Sequence, residues 1–249
     1  MKVDCQWGRA GASRAADVAI IVDVMSFSTC VSIAVEHGAR VFPFWGDHAE
    51  SEALARTVGA VAASKTRSKE SLSLSPISLT KITEGQTLVL PSPNGSRCSL
   101  AAKAKDVFCG CLRNAKAVAE TAAENGGSVL VVPAGELWPD GALRVAFEDM
   151  MGAGAIISYL GGDPTPEARA AAAAFEDAKS NLREQLLACP SGVELIERGY
   201  LEDPELAAEL NVSSAVPLLT QHRARYRDAL PDCEWAGRRV RFYEDVRAA

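Results

Sequence analysis

Four places in the 249-residue chain gather residue types that bind anions or cations. Asp23 ends an apolar, β-branched run and is followed by Ser26, Ser28 and Thr29. A carboxylate at the end of a buried strand costs several kcal/mol unless it finds a partner, about the scale of an unpaired buried ion. Two partners fit Asp23: a magnesium ion, since hard cations take oxygen ligands, or the open amides of the next helix. The three hydroxyls that follow sit where helix N-terminal amides and dipole favour a phosphate; ordinary N-capping is the alternative use of the same residues. The turn Asn94-Gly95-Ser96-Arg97 repeats this design with a cation added. Its glycine lets backbone approach a ligand, and Arg97 is either an oxyanion grip through paired hydrogen bonds or a surface arginine.

Gly135-Glu136 is the third place and Glu148-Asp149 the fourth. On a helix Glu148 and Asp149 point about 100° apart, so they do not face one site squarely. Asp149 shares its face with Val145, Gly152, Ala153 and Ile156, and an acid on an apolar face calls for a cation. Glu148 lies four residues after Arg144, the spacing of a surface ion pair. A Ser-rich stretch carries Lys65, Arg67 and Lys69; it reads as a solvated loop or as an anion clamp that closes on substrate.

Other chemistries lack their residues. There is no G-x-S-x-G elbow and no Walker A loop. Histidine occurs only at 37, 48 and 222, which disfavours histidine bases and multi-histidine metal sites. The seven cysteines are scattered; Cys109-Gly-Cys111 is the one close pair, and it has no second pair at zinc spacing. Reduced, buried thiols of a cytoplasmic protein are expected. The formal net charge of −6 argues against a nucleic-acid partner. No apolar run reaches the roughly 20 residues that span a bilayer, and no signal-peptide block opens the chain.

Short apolar runs alternating with amphipathic ones must position these residues. Strands are expected at 18–24, 40–44, 87–90, 107–111 and 129–132, and helices at 30–37, 49–58, from 96, 114–125 and 141–160. From 165 the pattern turns helical: 165–188, 191–198 and 204–210. This is the pattern of an α/β fold, a layered sheet flanked by helices with a mostly helical C-terminal part. The length suits one domain over 1–249, or two lobes sharing one core. Ligands of such sheets bind beyond the carboxyl ends of strands, where the residues above lie. Oligomeric state is not readable; a homo-oligomer is left open.

In order along the chain, several segments resemble the 2-phosphosulfolactate phosphatase family: Ile20-Ile-Val-Asp-Val24, Pro93-Asn-Gly-Ser-Arg97, Asn114 with Ala117-Val-Ala119, Pro133-Ala-Gly135, Phe147-Glu-Asp-Met-Met-Gly-Ala-Gly-Ala-Ile156, and the tail from Ser191-Gly192 to Val216-Pro217. The resemblance implies an α/β fold and magnesium-dependent hydrolysis of 2-phospho-3-sulfolactate, a step towards coenzyme M. It implies that Asp23 and Asp149, with Glu148, hold Mg2+; that Asp23, Asp149 and Arg97 are catalytic; and that Ser26, Ser28, Thr29, Asn94, Gly95, Ser96, Asn114 and Gly135 bind a small anionic phosphate ester. Two departures stand out. Ser26 replaces an arginine usual in the family, and Ser64-Lys-Thr-Arg67 with Leu74-Ser-Pro76 replaces an acidic segment, for which Glu70 is a candidate stand-in. These departures also admit another reading: a diverged anion-binding or regulatory protein that kept the fold without the activity.

Overall fold

The computed structural model describes residues 1–221, 234–235 and 238–247. The strands are β1 (Lys2–Cys5), β2 (Val18–Val22), β3 (Arg40–Phe44), β4 (Val61–Ala62), β5 (Thr87–Pro91), β6 (Asp106–Gly110), β7 (Ser128–Pro133), β8 (Glu136–Leu137), β9 (Leu143–Arg144), β10 (Asp163–Pro164), β11 (Pro217–Gln221), β12 (Glu234–Trp235), β13 (Arg238–Arg239) and β14 (Arg241–Asp245). The α-helices are α1 (Gly8–Ala12), α2 (Phe27–Glu36), α3 (His48–Val58), α4 (Pro76–Leu79), α5 (Gly95–Ala101), α6 (Ala115–Asn125), α7 (Phe147–Leu160), α8 (Pro166–Ala178), α9 (Leu182–Ala188), α10 (Pro190–Glu197) and α11 (Glu202–Ala207).

Among the described residues ten strands form one mixed sheet in the order β10-β1-β7-β2-β6-β11-β14-β3-β5-β4, so the fold is α/β. The first five run parallel, as do β3, β5 and β4. Between these sets lies the antiparallel pair β11 and β14, antiparallel also to the flanking β6 and β3. Each parallel set is joined through helices, as parallel pairing requires.

Strand β2 shows why the sequence folds this way. All five of its residues are buried. Alternate side chains leave opposite faces of a strand. Val18, Ile20 and Val22 enter a core with α6, α7 and α8, while Ala19 and Ile21 enter a second core with α2. A strand covered on both faces reads as a continuous apolar run. A third core packs α3 on Phe42, Phe44, Val89 and Phe242.

Two expectations need correction. The helix expected from Gly141 begins only at Phe147. Pro139-Asp140-Gly141 instead turns a small hairpin, β8 paired with β9, with Gly141 at φ +83°. The expected helix 165–188 is broken into α8, a 3-10 turn at Lys179–Asn181, and α9. The C-terminal part is mostly helical as expected, with α8, α9, α10 and α11, and the chain then returns β11 and β14 to the middle of the sheet. The glycines inside α7 do serve close packing: a Cβ at Gly154 would lie 2.2 Å from the Ala171 carbonyl oxygen of α8.

Candidate active site

The two parallel sets point in opposite directions, yet the segments leaving β2 and β5 meet at the start of α2. The Gly95 amide donates to Asp23 Oδ2 at 2.7 Å. Only glycine fits here: a Cβ at Gly95 would sit 2.3 Å from Phe27 Cδ1 and 2.7 Å from Asp23 Oδ2. Asp23 Oδ1 accepts from the Phe27 amide at 3.2 Å, so this carboxylate caps α2. Ser26 occupies the N-cap position but makes no capping bond.

Asp23 also lines a cavity of about 310 Å³, with Ser26, Arg67, Ser92, Asn94 and Glu136. Arg144, Ser191 and Arg198 line it as well. Asn94 Nδ2 donates to Glu136 Oε2 at 2.8 Å and fixes that second carboxylate. Burial, and secondarily the neighbouring charge of Glu148, pushes the Asp23 carboxyl up to about 6 despite the stabilising amides. Burial and the charge of Asp23 push Glu136 up to about 7. Two acids with raised affinity for protons at one cavity mark negative charge that a bound cation would relieve.

Asp149 lies behind this wall. Its Oδ1 accepts from the Val24 amide at 2.7 Å and its Oδ2 from the Gly135 amide at 2.8 Å, so it clasps the ends of β2 and β7. Burial, then Asp23 and Glu148, holds its carboxyl well above the ordinary range. Glu148 is buried at 2% exposure, not on the surface beside Arg144. It accepts from the Cys189 thiol at 3.5 Å. Asp149 and Glu148 do not line the cavity. No group of three His, Cys, Asp or Glu residues is arranged to hold a metal among the described residues. What the cavity does offer is the Asp23 carboxylate among the side-chain oxygens of Ser92 and Asn94. This fits magnesium in its usual mode, in which one or two carboxylates share the ion with water and phosphate oxygens.

The hydroxyl and amide residues divide. Ser26 and Asn94 line the cavity, and Gly95 packs under it. Ser28 donates to the Ile21 carbonyl and accepts from the Asp23 amide; Thr29 donates to the Val24 carbonyl. Ser96 accepts from the Phe44 amide and donates to the Leu90 carbonyl. Asn114 accepts from the Cys111 amide and donates to the Cys109 and Ala215 carbonyls. All four are fully or almost fully buried and do not line the cavity. Arg97 lies over the Trp45 ring, 4.8 Å from its centre, and lines a neighbouring cavity of about 220 Å³ that shares Pro93, Asn94 and Leu137. Gly135, at φ +68°, reaches the site only through its amide on Asp149.

The stretch read as a solvated loop is folded in. Ser73 and Ser78 are fully buried and bond the loop's own backbone. Arg67 leaves this loop for the cavity, where its guanidinium donates to Ser26 Oγ at 3.1 Å. Lys69 pairs with Glu202 instead. Glu70 is 91% exposed and pairs with Lys81, so it does not replace an acid at the cavity. The sequence marked Glu136 only as a polar strand end; its position directly after a strand-end glycine was the available signal. Nothing local marked Arg144 or Arg198.

The six described cysteines are all free and buried. Cys233 lies outside the described residues. No helix among the described residues is long and apolar enough to cross a membrane.

The family described as 2-phosphosulpholactate phosphatase matches residues 9–222. The 2-phosphosulfolactate phosphatase of Methanothermobacter thermautotrophicus is 31% identical, over 92% of this chain and 91% of its own. A protein of Carboxydothermus hydrogenoformans named "Probable 2-phosphosulfolactate phosphatase" is 30% identical over 87% of this chain and 92% of its own. One of the same name from Pseudothermotoga lettingae is 24% identical over 83% and 91%. With likeness running nearly end to end, the chain belongs to the 2-phosphosulfolactate phosphatase family.

Proposed function

We infer that this chain hydrolyses the phosphate ester of a small anionic 2-hydroxy acid, with 2-phospho-3-sulfolactate, the substrate named for its relatives, as the first candidate. The observation that carries this reading is a single cavity lined by the acids Asp23 and Glu136 and by Arg67. Asp23 would hold magnesium, with water and phosphoryl oxygens completing its ligands. The ion would offset phosphoryl charge and make bound water a better nucleophile. Asp149 and Glu148 support the site from behind rather than from the cavity: Asp149 fixes the backbone that presents Asp23 and Glu136.

The remaining work falls to side chains of the chain itself. Glu136, pushed up to about 7, keeps a proton near neutrality and is held by Asn94. It supplies that proton to the departing alkoxide oxygen as a general acid. Ser92 and Asn94 offer polar groups to the phosphoryl oxygens, while the Ser26 hydroxyl accepts from Arg67. The cavity's volume of about 310 Å³ suits a molecule of this size.

Purified protein with magnesium is expected to release phosphate from 2-phospho-3-sulfolactate. Asp23→Asn should lower kcat/KM by about 100-fold or more, the scale of losing a charged group at a transition state. Glu136→Gln should lower kcat and abolish the alkaline limb of the pH profile, because the acid that titrates there is gone. Folded protein that releases no phosphate from a panel of 2-hydroxy-acid phosphates would overturn the assignment; anion binding without turnover would then favour a binding protein.

A further inference from the structure

Arg67 is held with more care than a loop arginine needs. Its Nη1 donates to Asp203 Oδ2 at 2.6 Å, and its Nη2 donates to Ser26 Oγ. Its carbonyl accepts from the Tyr200 hydroxyl at 2.6 Å, and its guanidinium lies 5.7 Å from the Tyr200 ring centre. Asp203 is itself fully buried as a side chain and accepts from Ser75 Oγ and the Ile77 amide. A buried ion pair recovers its desolvation cost only with such added hydrogen bonds. Two of the five guanidinium N–H groups are thus engaged with described residues, and the head lines the cavity.

Ser191, which lines the same cavity, is 8% exposed, and its hydroxyl has no partner among the described residues. A buried unpaired hydroxyl costs free energy that a ligand can return. Ser191 opens α10, and Arg198 follows that helix at the cavity rim, where Glu194 pairs with it. Arg144, paired in register with Glu136 across β8 and β9, lines the cavity too. The lining thus sets three arginines against the acids Asp23, Glu136 and Glu194, in a chain of net charge −6.

We propose that Arg67 and Ser191 form a second anion subsite, which selects phosphate esters bearing a further carboxylate or sulfonate. This rests on the phosphatase reading above, because the phosphoryl group is taken to occupy the Asp23 side. Arg67 meets the second oxyanion with its remaining N–H groups, the geometry that a guanidinium matches and an ammonium does not. Ser191 donates its hydroxyl to the same group. Arg67 is here a binding residue; it touches no reacting atom.

The test compares three esters: isopropyl phosphate, 2-phospholactate and 2-phospho-3-sulfolactate. The first lacks a second anion, the second adds a carboxylate and the third adds a sulfonate as well. Wild-type kcat/KM should rise along the series, and which step rises more identifies the anion bound. Arg67→Ala should lower the ratio of either acid to isopropyl phosphate by about 10- to 100-fold, through KM, as loss of a charged hydrogen bond does. Arg67→Lys, which keeps a charge beside Asp203, and Ser191→Ala, which deletes only the unpartnered hydroxyl, should lower it less; they decide the matter if Arg67→Ala does not fold. Ratios unchanged within about twofold in all folded variants would overturn the proposal. If the wild type cleaves none of the esters, the phosphatase reading fails instead. The subsite is then judged by calorimetry with 3-sulfolactate: binding weakened by Arg67→Lys and Ser191→Ala supports it, while equal or absent binding overturns it.

Discussion

Asp23 does two things with one carboxylate. It caps α2 and receives the Gly95 amide, and it presents charge to a cavity that also holds Glu136. The amides stabilise its ionised form, but burial outweighs them. The sign for stability follows. Both acids hold protons more tightly folded than unfolded, at about 6 and about 7 against ordinary values of 3.8 and 4.5. Their contribution is therefore fully present below the ordinary values and is lost as pH rises through the folded ones. Metal-free protein should show a melting temperature that falls between about pH 4.5 and pH 7, with a shallower fall in Glu136→Gln. Magnesium should raise the melting temperature more at the upper end of that range, where Asp23 is ionised. A flat profile in metal chelator would mean the two carboxyls are not desolvated as the fold places them. This coupling was half legible beforehand. Asp23 stood out because a strand-end acid after five apolar residues needs a partner. Ser28, Thr29 and Ser96 stood out as hydroxyls at helix starts and Asn114 through the family resemblance, and all four serve the backbone instead. A hydroxyl at a strand–helix junction satisfies a neighbouring carbonyl or a ligand with the same atom, so its type does not say which.

Helix α7 carries Asp149 to the ends of β2 and β7, and its small residues set how closely it can do so. Gly152 lies against Val22 and Val24, and Gly154 against α8. Gly154→Val should push α7 from α8, because even a Cβ would approach the Ala171 oxygen to 2.2 Å. Overpacking of this kind costs about 1 to 3 kcal/mol or more, read as a lower urea midpoint, and it should reduce activity by displacing Asp149 from the Val24 and Gly135 amides. An unchanged midpoint would show that the two helices part without cost. Apolar periodicity announced α7 itself, and its glycines announced close packing. Its start was misplaced because 141–146 continues a tolerable helical pattern, whereas the Pro139-Asp140-Gly141 turn and the β8–β9 pairing decide the backbone. The Ser-rich segment erred the other way. Low apolar content suggested solvent, but its serines bond one another and the local backbone, so they bury without leaving polar groups unmet.

At the scale of the molecule, the element least visible in sequence holds the sheet together. Arg241-Phe-Tyr-Glu-Asp245 is short and mostly polar, with no run to announce a central strand. It becomes one through long-range pairing: Tyr243 faces Leu219 of β11 on one side and Val41 of β3 on the other. Tyr243 is fully buried, its ring meets Phe27 edge-on at 6.3 Å, and its hydroxyl donates to Ser99 Oγ at 2.9 Å. Phe27 begins α2 and Ser99 lies in α5, the two helices whose first turns surround Asp23. The strand thus connects the two parallel sets and props the floor of the cavity. A chain ended after residue 240 should lose both functions. Deleting one buried aromatic side chain costs about 3 to 5 kcal/mol, a large part of the roughly 5 to 15 kcal/mol that holds a domain folded, and the truncation removes a whole strand as well. The full chain should unfold in one cooperative step, because one sheet passes through all its parts, whereas the truncated chain should lose its near-ultraviolet circular dichroism and its cooperative urea transition. Two separate transitions in the full chain, or a truncated chain as stable as the whole, would show that the halves on either side of β14 stand independently and that the Asp23 site does not depend on the strand between them.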